Sequence, residues 1–128
     1  MFITIKDTEY ELKFDLAFVR RLNEQQGLIF NQVNIGNAVE KTMPGVMSHD
    51  FAILADYVLC ANEKLTRKLV DEYIENLAVE DEEGKALDEF ANKLTDAIKH
   101  GVMTRVPFNK VEKAVKKAEK TAEKKNKN

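Results

Sequence analysis

The sequence predicts an α+β fold, mainly α, with an N-terminal β-hairpin packed on a small helical bundle and a basic helix at the C-terminus. Three observations carry this. The first fourteen residues alternate apolar and polar side chains with period two, the signature of a half-buried strand pair. Later segments repeat apolar residues at three- and four-residue steps, the signature of amphipathic helices. Only 5 Gly and 2 Pro occur in 128 residues, too few for a loop-rich or all-β chain.

In the opening segment Ile3 and Ile5 alternate with Thr4 and Lys6, and Tyr10, Leu12 and Phe14 alternate with Glu11, Lys13 and Asp15. Asp7-Thr8 supplies the turn. Two strands alone are marginal in water, so their apolar face must lie on helices. Asp15 reads as the N-cap of the first helix, whose stripe is Leu16, Val19 and Leu22 with Phe18 beside it, and Gly27 as its stop. Leu28 to Gly36 reads as an extended connection with room for a third short strand.

A short helix is expected from Asn37 to Met43, ended by Pro44-Gly45, because proline disfavours helix in the residue before it. Ser48 is the expected cap of a central helix running to about Asn62. That segment, Phe51 to Ala61, is apolar almost all round, as a buried helix is. Its one charge, Asp56, is expected on a narrow solvent-facing edge, since buried acids are rare. Thr66 caps the next helix, which carries Leu69, Val70, Tyr73, Ile74 and Leu77. Glu80 to Gly84 reads as an acidic surface loop, and a further helix carries Leu87, Phe90, Ala91, Leu94, Ala97 and Ile98 on one face. Asp88 and Glu89 near its start and Lys99 and His100 near its end suit the helix dipole, and Gly101 stops it. Val102 to Phe108 reads as a linker punctuated by Pro107. The rest carries a thin stripe of Val111, Val115, Ala118 and Ala122 among lysines. The expected organisation is a globular domain over residues 1–108 and a Lys-rich, partly helical, mobile tail over 109–128.

Charge is distributed unevenly. Residues 1–108 hold 12 basic and 19 acidic side chains, a balance of −7, and residues 109–128 hold 8 Lys and 3 Glu, a balance of +5. An acidic body and a basic tail make head-to-tail association between copies conceivable, and raised salt would dissolve it. The tail has the charge to bind nucleic acid, and a nucleic-acid-associated regulator is the alternative functional reading. It lacks arginine and aromatic residues for base readout or stacking, which makes nucleic acid the lesser partner.

Residues for catalysis or cofactor binding are missing from the pattern. His49 and His100 have no Cys, Asp or Glu at ligand spacing, so no metal site is expected. Gly36 and Gly45 are isolated and form no phosphate loop. Ser48, the only serine, lacks the glycines of a nucleophile elbow. Glu80 to Glu83 lacks the ligand spacing of a calcium loop. The single cysteine, Cys60, allows no internal disulfide and is expected to be a buried, reduced thiol. With no signal-peptide pattern at Met1 to Lys6 and no apolar run of about 20 residues, the expected location is the cytoplasm, away from membranes. The expectation is a binding protein, not an enzyme, needing no cofactor. Met43, Val46, Met47 and Phe51 cluster at the Pro44-Gly45 break. They suit either an adaptable partner surface or core packing against the hairpin.

The opening Met1-Phe2-Ile3-Thr4-Ile5-Lys6, the aromatic at Phe14, and the run Leu16, Phe18, Val19, Arg20, Leu22 resemble the start of tail assembly chaperones of long-tailed phages and prophages of Gram-positive bacteria. There a short hairpin ending in an aromatic residue leads straight into a helix of the form Leu-x-Phe-aliphatic-Arg-x-Leu. The later layout is similar: a glycine-containing connection, a Pro-Gly break, a very apolar helix, two amphipathic helices with an acidic loop, and a Lys-rich end. The resemblance implies a chaperone that binds the long, helix-rich tape measure protein, keeps it soluble and helps recruit tail tube subunits. It implies action in the host cytoplasm and absence from the finished virion. It further suggests a frameshifted longer form, for which an A-rich stretch encoding Lys124-Lys125-Asn126 is a candidate slippery site.

Overall fold

The computed structural model describes residues 1–126. Strands β1 (Phe2–Ile5) and β2 (Thr8–Glu11) pair antiparallel, with Ile3 opposite Tyr10. The turn is Lys6-Asp7, one residue earlier than expected; both have positive φ, 49° and 66°, as a two-residue hairpin turn matched to strand twist requires. Ile3, Ile5, Leu12 and Phe14 are buried, the apolar face that the alternation predicts.

Helix α1 (Leu16–Gln26) starts at Asp15, whose Oδ1 accepts the Phe18 N–H at 3.0 Å. Phe18 and Leu22 are fully buried, and Phe18 meets Phe14 edge-on with ring centroids 5.1 Å apart. The helix ends before Gly27, but Gly27 is not left-handed (φ −64°). What requires glycine there is crowding: a Cβ would collide with the Asn34 side chain and the Asn23 carbonyl.

The extended connection proves to be a second hairpin, β3 (Leu28–Phe30) against β4 (Val33–Gly36), turning at Asn31-Gln32 with the same pair of positive φ angles. β4 lies against α1.

Helix α2 (Ala38–Met47) runs through Pro44 instead of stopping before it. Proline removes the bond to the carbonyl four residues back. That carbonyl belongs to Glu40, on the exposed side, while Met43 and Val46 on the other side are fully buried and hold the helix together. The break comes later, where His49 takes φ 58°. Ser48 closes α2 and does not open α3 (Phe51–Cys60). The cap of α3 is Asp50, whose Oδ1 accepts from Ala52 and Ile53 N–H at 3.0 and 3.3 Å.

Asp56 is buried, contrary to the solvent-facing expectation. Its carboxylate has two partners: Arg67 Nη1 at 2.5 Å and Gln26 Nε2 at 2.8 Å. A buried acid is tolerated when it is paired and hydrogen-bonded. Arg67 opens α4 (Arg67–Glu80), capped by Thr66, and Gln26 closes α1, so Asp56 ties three helices at one point.

Helix α5 (Lys85–Lys99) packs on α4 and α3, and α6 (Arg105–Asn126) packs on α2 and α5. α6 begins inside the segment expected to be a linker. Pro107 sits in its first turn, where a missing N–H costs nothing. Thr104 Oγ1 donates to the Ile98 carbonyl at 2.5 Å, and the Thr104 carbonyl accepts from Phe108 N–H at 2.9 Å, which fixes the α5–α6 corner. The core is continuous from the first hairpin through α1, α2, α3 and α5 to Phe108. Cys60 is a buried free thiol within it.

Candidate interaction surface

The four residues around the Pro44 break do not make an exposed face. Met43 and Val46 are fully buried, and Met47 and Phe51 are half-buried against the core. Of the two readings of that cluster, core packing describes where the side chains lie.

Apolar side chains reach solvent elsewhere. Thr104 and Phe108 are one helical turn apart and both point inward. At 3.6 residues per turn, position 106 then faces the opposite way. Val106 is accordingly 56% exposed, and Val102 and Met103 in the preceding corner are 70% and 40% exposed. The Met103 N–H donates to the Phe14 carbonyl at 3.0 Å, which brings the corner beside the start of α1, where Leu16 is exposed.

Val102, Met103 and Val106 border a groove of about 570 Å³ between α1, the start of α2 and the start of α6. Its apolar lining is Val19, Val39, Val102, Met103, Val106 and Pro107. Its charged lining is Glu40, Arg105 and Lys110. A concave apolar strip with charges at its margin is the form that receives one face of an amphipathic helix. Sequence reading missed it because Val102 to Phe108 looked like a linker. The signal available was three large apolar residues in a segment with no strand or helix of its own to bury them.

The groove's floor is fixed by Asn23. Its Oδ1 accepts the Ala38 N–H at 3.0 Å, and its carbonyl accepts from Gly27 N–H at 2.9 Å and Asn34 Nδ2 at 2.6 Å. Gly36, in the left-handed region at φ 82°, lets the chain pass the Asn23 amide, which a Cβ would meet at 3.2 Å.

Nothing in this surface resembles a reaction centre. Among the described residues no group of three or more His, Cys, Asp or Glu side chains is placed to hold a metal ion. No helix among them is long and apolar enough to cross a membrane. Burial pushes the hydroxyl of Tyr57 and the thiol of Cys60 well above their ordinary pKa, which makes both poor nucleophiles.

A family model described as phage tail assembly chaperone protein matches residues 2–114. No curated protein and no solved structure matches the chain.

Proposed function

The chain belongs to the phage tail assembly chaperone family, and from that membership we propose that it binds the tape measure protein, keeps it soluble and helps recruit tail tube subunits. The family match over most of the chain carries this reading. The groove between α1, α2 and α6 supports it, because a helix-rich client exposes apolar stripes that need a concave apolar surface. The protein acts by binding and not by catalysis, in the host cytoplasm, and does not remain in the virion. Residues 109–128, which follow Phe108, the last buried side chain among the described residues, serve as a Lys-rich extension of the body. A programmed frameshift within the Lys124-Lys125-Asn126 codons would extend them.

Co-expression with the candidate tape measure protein tests the reading. The client should become soluble and co-purify with this chain. A client equally soluble alone that never co-purifies would overturn it.

A further inference from the structure

Helix α6 is ordered around two opposite faces. On one, Phe108 is buried, Val111 is half-buried against the core, and Val115 follows on the same side. On the other, Lys110, Lys113, Lys117 and Lys120 recur at steps of three, four and three. In a helix this spacing confines them to an arc of about 80°, opposite the apolar seam, along about 15 Å of axis. All four side chains are exposed. The acids of the helix up to residue 122, Glu112 and Glu119, lie at least about 80° outside the arc. Glu112 is taken by Lys99 and Lys116, at 3.9 and 3.8 Å. None of the four stripe lysines pairs with an acid among the described residues. The seating of Phe108 and Val111 on the body therefore turns an acid-free row of ammonium groups outward.

We propose that this lysine stripe binds the phosphate backbone of nucleic acid, without regard to base sequence. Lysine acts as a point charge, which suits phosphate contact without directional readout. The absence of arginine and aromatic residues removes base readout and stacking, not backbone contact. A duplex carries one charge per about 1.7 Å of its axis, so a phosphate lies within reach of every lysine along the row. A protein partner fits less well. Interface centres are poor in lysine and rest on aromatic, Met or Arg anchors, whereas Asn109, Ala114 and Thr121 border this row. A lipid surface would take up the apolar face. That face is occupied by the body at Phe108 and Val111 and continues only as Val115, Ala118 and Ala122. Residues 1–108 carry a balance of −7, which repels a polyanion from the body and leaves α6 as its place of contact.

Fluorescence anisotropy of a short labelled duplex, titrated with the full chain across a salt series, tests this. Four neutralised phosphates give a slope of about −3.6 in log affinity against log salt, so affinity should fall on the order of 100-fold between about 50 and 200 mM salt. Duplexes of unrelated sequence should bind alike. Lys113→Gln/Lys117→Gln/Lys120→Gln keeps helix propensity and spares Lys110, which borders the groove. It should leave the far-UV spectrum unchanged, cut the slope to about −1 and weaken low-salt binding at least about tenfold. Lys64→Gln/Lys68→Gln/Lys85→Gln removes the same charge from exposed positions on the body and should bind nearly as wild type does. Polyglutamate and anionic lipid vesicles, offered in place of the duplex, should bind more weakly than it does. A wild-type chain that ignores the duplex at low salt, equal losses in the two triple variants, or tighter binding of polyglutamate or vesicles would each overturn the proposal. The stripe variant should still capture the tape measure candidate. Lost capture in that variant, with a wild type that ignores the duplex, would assign the stripe to the client and overturn the proposal, leaving the chaperone reading intact.

Discussion

Asn23, in the last turn of α1, caps α2: its Oδ1 accepts the Ala38 N–H at 3.0 Å, a bond that α2's own cap residue, Asn37, does not make. Asn37 sits in the left-handed region at φ 63°, and its side chain makes no cap hydrogen bond. The cap therefore comes from fifteen residues away. The same residue's carbonyl holds Gly27 and Asn34, so the end of α1, the second hairpin and the start of α2 share one anchor.

Asn23→Ala should cost about 1–2 kcal/mol, the loss of a helix cap and of its side-chain contacts. Urea unfolding monitored by circular dichroism would read this as a lower midpoint at unchanged slope. Asn37→Gly, which keeps the left-handed backbone without strain, should cost less, because the Asn37 side chain makes no cap hydrogen bond. Equal losses would show that Asn23 is not the cap that matters.

Asp56 makes the second junction. Asp56→Ala would leave Gln26 and Arg67 without their shared acceptor and should destabilise by about 1–3 kcal/mol. Arg67 is half-exposed and can return to water, so the cost stays below that of breaking a fully buried pair. Arg67→Met should be milder than Asp56→Ala if Gln26 keeps the carboxylate satisfied. The reverse order in thermal melts would mean that Arg67 contributes chiefly through packing.

These two junctions mark where sequence reading stops. Asp15 and Thr66 were legible as caps because each bonds its own helix within three residues. Asn23 and Asp56 act on elements 15, 11 and 30 residues away, and no local pattern records such partners. Pro44 misled for the opposite reason: its local preference is real, but buried Met43 and Val46 outweigh it. The hairpin, the helical stripes and the family resemblance were local patterns and were legible. The groove needed the α5–α6 corner, which a Pro-containing apolar segment concealed.

Burial, reinforced by the Asp56 carboxylate, pushes the Cys60 thiol from about 9 up to about 11. The folded chain then holds this proton more tightly than the unfolded chain does. Between about pH 9 and about pH 11 the unfolded state binds fewer protons, so stability falls as pH rises through that window and is fully retained below it. Tyr57, raised by burial as well, adds a loss of the same sign at higher pH. Thermal melts across the window should show a shallower decline for Cys60→Ala than for wild type, whatever its lower starting point. Parallel curves would mean that the thiol does not titrate with unfolding. At neutral pH the native thiol should react with a disulfide reagent only as fast as the chain opens.

Val106 separates binding from folding. Its side chain is 56% exposed, opposite Thr104 and Phe108, so Val106→Asp removes little core contact and should change stability by no more than about 0.5 kcal/mol. A client helix seated in the groove would bury this position, and a carboxylate there would be desolvated without a partner. Client capture should then weaken about 10- to 100-fold, the scale of 1.4–3 kcal/mol. Phe108→Ala gives the contrasting result: Phe108 is buried on the inner face of α6 with the Lys99 ammonium 5.9 Å from its ring, and its loss should destabilise the chain by about 3 kcal/mol. Measuring both by urea unfolding and by client co-purification separates surface from scaffold. If Val106→Asp left client capture unchanged while the chain remained folded, the groove would not be the client's seat.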